Sequence, residues 1–103
     1  MSWRPVRKLV GIANVFLGDE LVDIAEYDLE MYEENPDDHQ LHVAHWVPAA
    51  NKVEGTVVGA LPIRKGLTLV TEEGYALSFY LRDRFGTIVP SGPLLDAAGK
   101  PVH

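Results

Sequence analysis

No cysteine occurs among the 103 residues, which removes disulfide frameworks, thiolate zinc sites, iron–sulfur clusters and cysteine nucleophiles together. An oxidising compartment loses its main sequence signature by the same absence, and the expected location is the cytoplasm. Long apolar runs are missing too. The longest stretch free of Asp, Glu, Lys and Arg, His39 to Asn51, has 13 residues and carries three histidines. A membrane-crossing helix needs about 20 apolar residues, so no segment is expected to span a bilayer. Arg4, Arg7 and Lys8 ahead of Leu9 to Leu17 imitate a secretory leader, but Asn14 interrupts the run and no small-residue cleavage site follows.

Catalytic vocabulary is equally thin. Serine occurs only at Ser2, Ser78 and Ser91, none of them in a G-x-S-x-G elbow, and neither glycine-rich phosphate cradle is present. His39, His42 and His45 recur every third residue, which suits neither strand nor sheet ligation. In a strand His42 points away from the other two, and the outer pair lie roughly 20 Å apart. The acidic stretch Glu33 to Asp38 lacks the ligand spacing and central glycine of an EF-hand loop. No catalytic, metal or cofactor site is therefore expected.

What the chain does contain is a strand vocabulary. Val, Ile and Thr total 20 residues, whereas Gln and Met together total three, so helical composition is rare. Glycines and prolines are spread along the chain and cut it into short segments. Arg7 to Leu17 and Leu21 to Glu33 flank Gly18-Asp19-Glu20 and read as a hairpin. In the second arm Ala25, Tyr27, Leu29 and Met31 alternate with Glu26, Asp28 and Glu30. Val22 and Ile24 fall on the opposite parity, so a bulge near Ala25 is needed to keep them inward. Val22, Ala25, Leu29 and Tyr32 also fit helical spacing, which keeps a helix open as the alternative for this arm.

Leu41 to Val47 reads as a further strand, as does Lys52 to Leu61. Leu67 to Thr71 and Tyr75 to Asp83 form the clearest hairpin, around Glu72-Glu73-Gly74, and Thr87 to Val89 is the last short strand. The tail from Asp96 to His103 is expected to fray. The expected fold is one all-β domain over residues 1–103, a small antiparallel sandwich or barrel of about seven short strands.

Charge is segregated. Residues 1–17 carry three bases and no acid, residues 18–38 carry ten acids and no base, and the rest is nearly balanced. A domain of net charge −6 lacks the basic footprint that nucleic acid requires. The row Glu26, Asp28 and Glu30 repels itself unless cations lie opposite. Arg82, Arg84 or Lys65 across the sheet, or simple exposure to solvent, would satisfy it without function, and a basic partner would satisfy it with one.

The leading functional expectation is a non-enzymatic protein-interaction or assembly module, using that acidic face or self-association through an uncovered strand edge. His42, Trp46, Tyr80 and Arg82 mark a semi-polar face that serves as either a pocket lining or an interface. The alternative is accordingly a small barrel holding an apolar or aromatic small molecule, with weak enzymatic activity at its mouth as one form of it.

Overall fold

Two-residue periodicity at residues 25–31 decides the geometry of the acidic segment. Ala25, Tyr27, Leu29 and Met31 are buried while Glu26 and Asp28 are exposed, so this arm is a strand and not a helix. The computed structural model of the protein describes residues 2–35, 51–59 and 66–102. Six strands are formed among them: β1 (Ser2–Leu17), β2 (Glu20–Asn35), β3 (Lys52–Val58), β4 (Leu67–Thr71), β5 (Ala76–Leu81) and β6 (Ile88–Pro90). The expected strand Leu41 to Val47 lies outside the described residues.

All pairings are antiparallel, in the order β3-β2-β1-β4-β5-β6. The sheet then curls until its ends meet. Thr56 bridges Thr87, and the Val57 amide donates to the Gly86 carbonyl at 2.9 Å, joining β3 to the residues before β6. The fold is thus one nearly closed, barrel-like sheet rather than a sandwich. Two missing side chains let strands approach closely, Gly86 at the seam and Gly55 between β3 and β2. A Cβ at Gly86, where φ is +83°, would overlap the Val57 carbonyl, and one at Gly55 would overlap the Asp28 carbonyl.

β1 and β2 are longer than the short strands expected, at 16 residues each. Gly18, with φ of +63°, turns the chain between them in a two-residue loop of the kind that suits strand twist. Two irregularities bend this ribbon around the barrel. Val6 is the extra residue between Pro5 and Arg7, and Val22 is the extra residue opposite the Val15–Phe16 step. The bulge falls at Val22, not at Ala25. Val22 therefore packs against the core, but Ile24 keeps its outward parity and is 60% exposed.

Side chains fill the interior. Val15, Leu29, Met31, Val53, Leu67, Leu69, Leu77, Phe79 and Leu94 are almost fully removed from solvent, and together they leave the barrel packed like other protein cores. Gly11 is the thin point of β1, and Tyr27, its cross-strand partner, lays its ring over it, so that a Cβ there would sit 3.1 Å from the phenol oxygen. Burial, followed by the fields of Glu73 and Glu72, raises that phenol above its ordinary 10.0.

One end of the barrel is closed by the C-terminal segment. The tail expected to fray is tied in. Leu95 bridges both Ala76 and Pro101, the Val102 amide donates to the Leu94 carbonyl, and Asp96 Oδ1 accepts from the amides of Ala98 and Lys100. Asn51 fastens this plug to the start of β3. Its Nδ2 donates to the carbonyls of Leu94 (3.0 Å) and Val102 (2.8 Å), and its Oδ1 accepts from the Leu94 amide (2.8 Å).

Candidate interaction face

Strand register places the outward side chains of β1, β2 and β3 in rows. Ile12, Glu26 and Val58 form one, Val10, Asp28 and Thr56 the next, and Lys8, Glu30 and Glu54 the third. Glu26, Asp28 and Glu30 are thus brought together on a single outward column, flanked by neighbours that short-range spacing does not reveal. Val10 and Val58 are each 66% exposed and Ile12 is 53% exposed. Together with Ile24 they make an aliphatic surface interrupted by carboxylates.

This surface is concave. Val10, Gly11, Ile12, Glu26, Asp28, Thr56 and Val58 line an open groove of about 490 Å³. Among the described residues its charge is only partly compensated. Lys8 Nζ lies 3.8 Å from Asp28, and Lys52 Nζ lies 3.4 Å from Glu54, both in solvent where such pairs contribute about 0–1 kcal/mol. Among the described residues the compensating bases are therefore on β1 and β3 rather than Arg82 or Arg84, and Lys65 lies outside the described residues. Tyr32 donates its hydroxyl to Glu30 Oε2 at 3.3 Å, and burial, then Glu30 and Glu54, raise its phenol above the ordinary 10.0.

The other predicted site residues are not gathered here. Tyr80 and Arg82 project outward from the β5 side with Ser78, at the edge of solvent, and Arg82 opens on a shallow groove beside Lys52, Glu54 and Thr87. They line no cavity inside the barrel. His42 and Trp46 lie outside the described residues. No group of three metal-ligating side chains occurs among the described residues.

Phe85 falls between the expected strands Tyr75 to Asp83 and Thr87 to Val89, where no local pattern singles it out, yet it is 87% exposed in the β5–β6 connection. The turn beneath it is fixed. Asp83 Oδ1 accepts from the amides of Phe85 (2.9 Å) and Thr87 (3.2 Å), and the Arg82 amide donates to the Thr87 carbonyl. Partial burial favours a neutral Asp83. The hydroxyl and amide of Thr87, the amide of Phe85 and the charge of Arg82 together outweigh it and hold the carboxyl below its ordinary 3.8.

A depressed carboxyl contributes stability that is complete above the unfolded value and is lost as pH falls through the lower folded value. Asp83→Asn is accordingly expected to be less stable than the parent at neutral pH, with the difference closing below the ordinary 3.8. Urea titrations of both proteins across that range check this; a gap that stays constant into acid would contradict it.

No family model, curated protein or solved structure matches this chain. The functional reading rests on the face itself.

Proposed function

We propose that the protein is a cytoplasmic interaction module that binds another protein through the outer face of β1, β2 and β3. The observation that carries this is the exposure of Val10, Ile12, Ile24 and Val58 around Glu26 and Asp28. Scattered apolar residues on a surface need no explanation, but a contiguous concave group of them marks a contact site. Acids within it supply orientation and reject wrongly charged partners.

Among the described residues the small-molecule alternative is weaker, because the barrel interior is occupied by its own side chains and the groove at Val10, Gly11 and Ile12 opens outward. Edge pairing is also weaker. Ser2 to Ile12 of β1 has no second strand partner among the described residues, yet Pro5 lacks a donor, Val6 bulges, and Arg4, Arg7 and Lys8 would oppose like charges in a second copy.

The test compares capture from extracts of the native cell. Ile12→Ser with Val58→Ser, and separately Glu26→Gln with Asp28→Asn and Glu30→Gln, are expected to lose a discrete partner that the parent retains, with melting temperatures within about 2 °C because all five positions face solvent. Unchanged capture by both variants would overturn the reading.

A further inference from the structure

Phe85 and the groove meet at Val58. That residue lines the outer groove with Val10 and Ile12, and also a second depression of about 200 Å³ beside Arg84, Phe85 and Gly86. An exposed aromatic knob and an aliphatic socket therefore share one edge of the molecule. Their charges are opposite, because Arg84 precedes the knob and Glu26 and Asp28 flank the socket.

We propose that the occupant of this face is a second copy of the chain, each copy seating Phe85 against Val10, Ile12 and Val58 of the other and Arg84 against its Glu26 and Asp28. The proposal rests on the interaction reading above and names its partner. A two-fold axis close to Val58 makes both insertions at once, since a surface that carries knob and socket side by side is self-complementary. Aromatic residues and arginine are the side chains that most often dominate such contacts. The ring also needs little ordering on association, because the Asp83 hydrogen bonds already hold the turn and Gly86 rests against the Val57 backbone. A partner of different sequence would need to supply both features that the chain already offers itself.

Sedimentation equilibrium from micromolar to millimolar concentration tests this at low and high salt. The parent is expected to show a monomer–dimer equilibrium that weakens as salt rises. Phe85→Ala is expected to raise the dissociation constant about tenfold or more, and Arg84→Glu to do likewise. Combining Arg84→Glu with Glu26→Lys and Asp28→Lys in one chain reverses both charges and is expected to restore the dimer. Phe85 is so exposed that its truncation leaves the fold intact, which a melting curve verifies.

A parent that stays monomeric throughout, or a dimer indifferent to Phe85→Ala, overturns the proposal. A monomeric parent whose capture of another protein still depends on Ile12 and Val58 overturns the second copy alone and leaves the interaction face standing. A monomer with unaffected capture overturns both.

Discussion

Replacing Asn51 by leucine is expected to lower the melting temperature by more than about 10 °C. The side chain is only 6% exposed and satisfies three backbone groups of the C-terminal plug, the amide and carbonyl of Leu94 and the carbonyl of Val102. Leucine matches its bulk but offers neither donor nor acceptor, so the Leu94 amide and the Val102 carbonyl are left buried and unpaired, and the Leu94 carbonyl keeps only its bond from the Val102 amide. Each such group costs about 1–3 kcal/mol, and partial relaxation of the plug brings the expected total to about 3 kcal/mol. For a domain of this size a loss of 1 kcal/mol shifts the midpoint by roughly 4–8 °C. Circular dichroism melts read the shift. Hydrogen exchange adds the location, with the Leu94 and Val102 amides expected to lose protection first. A midpoint within 2 °C of the parent would show that the tail does not depend on this contact.

The same residue shows where sequence legibility ended. Asn51 precedes a strand and looks like an ordinary turn residue, while its partners lie 43 and 51 positions away in a tail of small and polar residues. Nothing local records that association, so fraying was the natural expectation. By contrast, Ala25 to Met31 alternates with acids between its apolar residues, and that contrast fixes both the strand and its buried side. The β4–β5 hairpin was legible from its Glu72-Glu73-Gly74 turn, and Leu77, Phe79 and Leu81, two apart in the sequence, are buried together.

The first strand was legible as a strand but not in orientation. From Leu9 to Val15 both parities are apolar apart from Asn14, and the outward pair Val10 and Ile12 is bulkier than the inward pair Gly11 and Ala13. A reading by hydrophobicity would bury the wrong side. What inverts it is long-range: Tyr27 covers Gly11, and β4 pairs with β1 at Ala13 to Leu17. The acidic column was therefore readable, but the aliphatic half of the groove was not. Ile24 was hidden by a three-residue displacement of the bulge, because a bulge at Val22 rather than Ala25 decides which of the two branched residues turns inward.

Closure of the barrel yields the other large effect, at Gly86. Alanine there meets two separate penalties. A backbone φ of +83° disfavours any Cβ by about 1–2 kcal/mol, and the added carbon would overlap the Val57 carbonyl, a backbone atom that cannot rotate away. Relief requires β3 and the β5–β6 turn to separate, which breaks the bond from the Val57 amide to the Gly86 carbonyl and the Thr56–Thr87 bridge. The combined loss is expected to reach about 3–4 kcal/mol, a large share of the 5–15 kcal/mol that holds a typical domain folded. Gly99 supplies the control, because its φ of +80° is nearly the same but nothing lies within 4 Å of the Cβ position. Gly99→Ala should therefore show the conformational penalty alone, about 1 kcal/mol, and the difference between the two variants isolates the seam. Urea unfolding of both measures that difference, and exchange at the Val57 amide should accelerate in Gly86→Ala only. Equal destabilisation by the two alanines would mean that β3 and β6 are not held in contact at Gly86, and the curled sheet would have to be redrawn as an open one.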